Sequence, residues 1–237
     1  MSSSTIYLGL DVHKDSVTIA VLPSDAIAPT RVERLPNDLA KLRRFCERLR
    51  AQGDVRACYE ASGAGYVLHR AFTSWGYHCD VIAPSLIPTK PGQQRKHDKY
   101  DAAQLARLYR AGELTVIRIP SEAEERGRDV VRCRETFQRE ILKSRHYILK
   151  FLARRGFVFR EGTNWRQPHY EWLRHLSHAT SPLAPEDRHV FSEYLGLLEY
   201  KLSRRDELDR QITELALTPA VAAAVQRLQC FRGLQLH

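Results

Sequence analysis

The chain has 237 residues and a formal net charge of +9, from 37 Lys and Arg against 28 Asp and Glu. That length carries one ordinary domain with an appendage, or two small domains, and the basic excess points to a polyanionic partner. No apolar run is long enough to span a bilayer, and "MSSSTIYLGLDVHK" lacks a basic-then-apolar leader pattern, so no membrane role is expected and a cytoplasmic protein is. Cys46, Cys58, Cys79, Cys133 and Cys230 are widely spaced and never form C-x-x-C. They read as reduced, mostly packed thiols, which argues against a zinc site or a disulfide framework.

Strand-like and helix-like segments alternate through the first half, the signature of a mixed α/β domain. "IYLGLDV" and "SVTIAVL" are β-branched, apolar runs parted by the polar "HKD", which predicts an antiparallel hairpin, and "RVERLP" predicts a third strand. Asn37 is expected to cap a helix through "DLAKLRRFCERLRAQ", whose Leu39, Leu42, Phe45, Cys46 and Leu49 recur at helical spacing, with Gly53 ending it. "VRACYE" returns to strand, "GYVLHRAFTSWG" to helix and "YHCDVIAP" to strand. After the loop "SLIPTKPGQQRK", a helix runs through "DKYDAAQLARLYRAG", and "LTVIRIP" predicts a last strand. Three strands, then helix, strand, helix, strand, helix and a short strand is the order of the ribonuclease-H-like fold.

The character changes near Ser121. "EAEERGRDVVRCRETFQREILKSRHYILKFLARRG" has acids in its first turn and apolar Val130, Phe137, Ile141, Ile148 and Phe151 near heptad spacing. From Arg126 to Arg155 it carries ten Arg or Lys against three acids. Residues 157 to 185 read as a connector or short helices. A second long helical pattern follows "SPLAPEDR", with Phe191, Tyr194, Leu198, Leu202, Leu208, Ile212 and Leu215, so an antiparallel coiled-coil hairpin is expected. A last apolar helix, "PAVAAAVQRLQ", leads to "CFRGLQLH". The expected organisation is an α/β domain over 1–120 and a helical hairpin over 121–230 that mediates oligomerisation and nucleic-acid binding.

Four acids fall where this fold would gather them. Asp11 closes the first strand, Glu60 closes "VRACYE", and Asp98 and Asp101 stand three apart at a helix start, on one face. First and fourth strands are neighbours in such a sheet, and the last of these helices packs beside them. Carboxylates so close repel one another and resist ionising unless cations neutralise them. An all-oxygen donor set favours Mg²⁺ or Mn²⁺, and two ions about 4 Å apart would activate a nucleophile and stabilise a leaving oxygen in phosphodiester chemistry. Each acid alone reads more readily as a turn, a cap or a solvated helix face than as a ligand; only the combination points to a site.

"YLGLDVHKDSVTIAVL", "CYEASGAGYVLHRAF" with "DVIAPSLIP", and "RKHDKYDAAQLARLYRAGEL" resemble the N-terminal half of the DEDD transposases of the insertion-sequence one-ten family. The resemblance covers roughly residues 5 to 155 closely and the helical remainder loosely. It implies a RuvC-like domain whose acids match Asp11, Glu60, Asp98 and Asp101. Where the family usually has Lys-Thr-Asp, this chain has Lys96, His97, Asp98. Family members carry a second catalytic domain with a nucleophilic serine, beginning at a turn like "LQCFRGLQLH", so residues 231–237 are expected to start a domain that the chain lacks. The resemblance also implies DNA recombination by homo-oligomers, dimers or tetramers, guided by a structured RNA.

Candidate phosphate contacts complete the reading. Arg132, Arg139 and Lys143 lie on the basic helix, which could track a phosphate backbone or be a solvated face. Lys90, Arg95 and Lys96 precede the acid pair, and His13 and Lys14 follow Asp11. Ser62 lacks a G-x-S-x-G frame and reads as a helix-start turn. Trp165, Tyr170 and Trp172 could stack on unpaired bases, with packing against the hairpin the simpler reading. A resolvase-like nuclease and a non-catalytic binding module are the alternative functions.

Overall fold

A computed structural model describes residues 4–88, 98–234 and 236, with Asp98 and Lys99 described only as helix backbone. The chain divides into two compact units, Met1–Ile119 and Pro120–His237. In the first, β1 (Thr5–Val12), β2 (Ser16–Pro23) and β3 (Arg31–Pro36) form a meander. Then come α1 (Leu39–Arg50), β4 (Asp54–Glu60), α2 (Val67–Ser74), β5 (His78–Ile82) and α3 (Asp98–Ala111). The five strands lie in the order β3-β2-β1-β4-β5, with β1 antiparallel to β2 and parallel to β4. This is the ribonuclease-H-like arrangement expected from the element order.

Side-chain alternation gives the sheet two covered faces. Ile6, Leu8 and Leu10 of β1 join Val17, Ile19 and Val21 of β2 and Val55, Ala57 and Tyr59 of β4 in one core, with Leu42, Phe45, Cys46 and Leu49 of α1 and Leu68 and Phe72 of α2. On the opposite face, Ala20 and Leu22 meet Ala102 and Ala106 of α3, while Cys58 and Ile82 meet Leu105. α3 lies unusually close to β1. A Cβ at Gly9 would stand 2.2 Å from the Ala102 carbonyl oxygen and 2.5 Å from the Ala106 nitrogen, so only glycine fits there.

Two local expectations need correction. Asn37 does not cap α1: Asp38 does, its Oδ1 accepting from the Lys41 N–H at 2.9 Å. The Asn37 amide is committed elsewhere, donating to the His13 carbonyl at 2.9 Å, and a carboxylate suits the positive helix start better. "LTVIRIP" adds no strand. It meets β5 at a single Ile82–Val116 bridge, flanked by Ala83 N–H to Thr115 O and Ile117 N–H to Val81 O, both 2.9 Å. Ile117 and Ile119 instead pack on the first core, and Pro120 has no N–H to extend a ladder.

The second unit holds α4 (Glu122–Ala153), α5 (Gln167–Ser177), α6 (Pro185–Ala216) and α7 (Ala222–Gln229). A capping box between Ser121 and Glu124 starts α4. α4 and α6 are antiparallel, since partners descend along α6 as they climb α4. Arg134 pairs with Asp209 at 2.8 Å, Lys201 donates to Ser144 at 2.9 Å, and Arg155 pairs with Asp187 at 2.5 Å. Ile141, Ile148, Phe151 and Leu152 interlock with Phe191, Leu195 and Leu198. Leu215 is exposed and Ala216 takes the buried position, so the apolar stripe drifts by one residue at the end of α6. Trp165, Tyr170 and Trp172 pack on this core rather than standing free.

His169 sits at the centre of those aromatics, fully buried, with Nδ1 accepting from the Trp165 N–H at 3.0 Å and Nε2 without a partner among the described residues. Burial holds its pKa below the ordinary 6.5. The unfolded chain therefore binds this proton more readily than the folded one, and the stability of the helical unit should fall as pH drops below about 6.5. Urea midpoints read by tryptophan fluorescence from about pH 7.5 down to about pH 5.5 should show that loss, and His169→Phe should flatten it. In the first unit, Gly9→Val should cost about 3 kcal/mol or more in urea unfolding, because backbone on α3 cannot move aside as a flexible side chain would.

Candidate metal and nucleic-acid site

The register of β1 and β4 decides where the acids fall. Gly9 pairs with Cys58 and Leu10 with Tyr59, so Asp11 and Glu60 are the next pair along two parallel strands. Gly9 and Cys58 both face α3: Gly9 lies under Ala102 and Ala106, and the Cys58 thiol approaches the Leu105 carbonyl at 3.9 Å. By alternation, Asp11 and Glu60 share that face, on strands about 4.8 Å apart.

α3 brings the remaining two acids. Tyr109, near its C-terminal end, meets Tyr7 edge-on at 5.8 Å, while Ala102 lies over Gly9. The helix thus runs antiparallel to β1 and delivers its first turn to the strand ends. Asp98 stands one turn before Ala102, and half-buried Asp101 one turn before Leu105. Asp11, Glu60 and the first turn of α3 are therefore at one edge of the sheet.

Asp11 is mostly buried, its side chain 20% exposed, and its Oδ2 lies 3.1 Å from His13 Nε2. Across the hairpin Asp11 pairs with Thr18, whose buried hydroxyl has no hydrogen-bond partner among the described residues. The Asp11 carboxylate opposite an unsatisfied hydroxyl offers oxygen donors, the kind that suits a hard divalent cation with its water shell. Among the described residues, no three His, Cys, Asp or Glu side chains already converge on one point. Asp98's side chain is outside that description.

A cleft of about 640 Å³ opens at the same strand ends but on the α1 and α2 face, lined by Val12, His13, Lys14, Asn37, Leu39, Ser62, Gly63, Ala64, Val67 and Leu68. Crevices at the carboxyl ends of parallel strands are the usual binding place in α/β sheets. His13 and Lys14 thus line the cleft, as does Ser62, whose hydroxyl accepts from the Ala64 N–H at 3.3 Å as a turn residue does. Lys90, Arg95, Lys96 and His97 lie outside the described residues. On α4, Arg132 pairs with Asp129 at 3.2 Å and Lys143 with Glu140 at 2.7 Å, while Arg139 donates to the Thr136 hydroxyl at 3.2 Å.

Sequence reasoning passed over two residues that shape the site. Gly9 sets the approach of α3, and a lone glycine inside an apolar strand was the available signal. Asn37 holds the His13–Lys14 turn, its amide reaching both carbonyls and its own N–H donating to Asp15 O at 3.1 Å. Three buried thiols, Cys46, Cys58 and Cys79, are free and take no part; burial pushes the Cys46 thiol up to about 12.

Comparison with known proteins adds independent findings. The family model described as "Transposase", for the DEDD transposases of IS110 type, matches residues 8–155. The chain is 30% identical over 232 residues to the transposase for insertion sequence element IS1533 of Leptospira borgpetersenii, covering 97% of this chain and 66% of that protein. It is 32% identical over 235 residues to the protein y4qE of Sinorhizobium fredii, covering 97% of this chain and 55% of that one. The chain therefore spans just under two thirds and just over half of the length of these curated relatives.

The Asn37 latch makes a specific expectation. Asn37→Ala should free the His13–Lys14 turn at a cost of about 1 kcal/mol in unfolding free energy, with hydrogen exchange of the hairpin-turn amides rising while those of β4 stay protected.

Proposed function

The chain belongs to the DEDD transposases of the IS110 type, and from that membership we propose that its first unit is the carboxylate-bearing active centre of a DNA transposase. Asp11 and Glu60 would hold Mg²⁺ or Mn²⁺ together with Asp98 and Asp101. The single observation that supports this most strongly is the β1–β4 register, which pairs Leu10 with Tyr59 and so makes Asp11 and Glu60 the next positions along, on the α3 face where Gly9 lets the first turn of α3 come down. Bound there, the metal would supply charge neutralisation and Lewis acidity for phosphoryl transfer.

The protein's own groups have separable parts in this reading. His13, hydrogen-bonded to Asp11, orients that carboxylate and donates from the turn toward a phosphate in the cleft. Lys14 offers a point charge at the cleft mouth. Arg132, Arg139 and Lys143 contact nucleic acid from the basic helix, and Lys90, Arg95 and Lys96 from the segment that directly precedes the acid pair in the chain. A structured guide RNA and self-association as a dimer or tetramer through the helical hairpin belong to the same proposal. They are supported by the family resemblance and the net charge of +9. No helix among the described residues is long and apolar enough to cross a membrane, and a cytoplasmic location, where DNA would be met, belongs to the same proposal.

Calorimetric titration with Mn²⁺ tests the centre directly. Asp11→Asn and Glu60→Gln should each weaken binding by about tenfold or more, which corresponds to about 1.4 kcal/mol. In cells, Asp11→Asn in the whole protein should abolish transposition. Wild-type Mn²⁺ affinity in both variants would remove these acids from the site.

A further inference from the structure

α1 carries cations that neither the fold nor the proposed centre uses. Between Leu39 and Arg50 stand Lys41, Arg43, Arg44, Arg48 and Arg50 against one acid, Glu47. Glu47 is taken by Arg43 at 2.9 Å, and Arg50 stacks over the Tyr77 ring at 5.5 Å. Lys41, Arg44 and Arg48 remain exposed, and no carboxylate pairs with them among the described residues. Their spacing of three and four residues sets them on one ridge, spanning about 10 Å at 1.5 Å per residue.

The ridge is built rather than incidental. Its inner side is anchored by Leu42, Phe45, Cys46 and Leu49 in the main core. Arg48 and, from β3, Arg31 both lie over the Phe45 ring, at 5.8 and 5.6 Å, so their stems pack while their charged heads stay outside. A groove of about 690 Å³ runs between β3 and α1, lined by Leu35, Lys41, Arg44, Glu47 and Arg48. The ridge also leads somewhere: Leu39, two residues before Lys41 at the start of α1, lines the cleft that His13 and Lys14 share. α4 differs, because there Arg126, Arg132 and Lys143 are each paired with an acid of their own helix.

We infer that Lys41, Arg44 and Arg48 bind the phosphate backbone of duplex DNA, alongside the cleft that His13 and Lys14 line. The surface rests on the DNA reading above for its occupant, and on charge complementarity and continuity with the cleft for its place. A polyanion is the chemistry that an uncompensated cation row fits. Duplex DNA is favoured because the row is straight, short and without exposed aromatic platforms for unstacked bases, which single-stranded partners use. Each phosphate neutralised releases counterions, so the contact has a salt signature of its own.

The test uses the whole chain in EDTA, which makes it independent of the carboxylate centre. Binding of a labelled duplex is followed by fluorescence anisotropy over a KCl series for the wild type and for the triple variant K41Q/R44Q/R48Q, with circular dichroism confirming the fold. The slope of log K against log salt should fall in magnitude by about 2 to 3, at roughly 0.9 per phosphate contact. An unchanged slope overturns the inference. So does a change seen only with a hairpin RNA in place of the duplex, which would assign the ridge to RNA. If Asp11→Asn and Glu60→Gln leave Mn²⁺ binding intact while the triple variant still lowers the slope, the metal centre fails and the DNA surface stands.

Discussion

The first unit depends on one contact, the seating of α3 against the backbone of β1 at Gly9. A side chain there would meet Ala102 O and Ala106 N before reaching ordinary van der Waals distance, and the helix would ride outward. Because Ala102 and Ala106 are themselves small, helix and strand approach to backbone contact, and Tyr7 against Tyr109 fixes the direction of the helix. The strand end and the helix start then coincide. An acid two residues beyond Gly9 on β1 and an acid two beyond Cys58 on β4 fall beneath that first turn without any loop having to place them. The burden of precision rests on rigid elements, which hold functional groups better than loops do.

That arrangement explains why so much of the site could be read from the chain. Asp11 and Glu60 each close an apolar strand, and the order of elements was enough to make those strands neighbours. Alternation then settled which side chains share a face. What escaped was local competition between polar side chains. Asn37 and Asp38 are adjacent and both suit a helix cap, and nothing in their order announces that Asn37 is needed by the hairpin turn. "LTVIRIP" has every mark of a strand, yet pairing at one bridge suffices once Ile117 and Ile119 find the core. In the helical unit the heptad pattern located α4 and α6, but a straight helix drifts against a seven-residue repeat, and by the end of α6 the buried position has moved from Leu215 to Ala216.

The two units solve the problem of charge differently. In the helical unit, cations are spent on architecture: Arg134 on Asp209, Arg155 on Asp187, and Lys201 on Ser144 and Glu140. Pairs of this kind cost desolvation as they gain attraction, so their value lies in fixing which turn of α4 faces which turn of α6. The count of basic residues along α4 therefore overstates what is available to a partner. On α1 a shorter run with one acid sets Lys41, Arg44 and Arg48 close together on one ridge, with no acid of their own helix pairing them among the described residues.

A carboxylate centre for DNA has to overcome a repulsion of its own making. In the proposed centre, Asp11, Glu60, Asp98 and Asp101 would present negative charge to a substrate that carries one negative charge about every 1.7 Å of duplex axis. Divalent cations can neutralise the centre itself, but screening limits their reach to about 10 Å in ordinary salt. Beyond that distance the backbone needs other counter-charges if the duplex is to lie flat against the sheet edge. Lys14 at the cleft and the ridge of Lys41, Arg44 and Arg48 leading away from it are placed to supply them. In the proposed centre, acids gathered to bind metal would themselves require basic groups on the surface beside them.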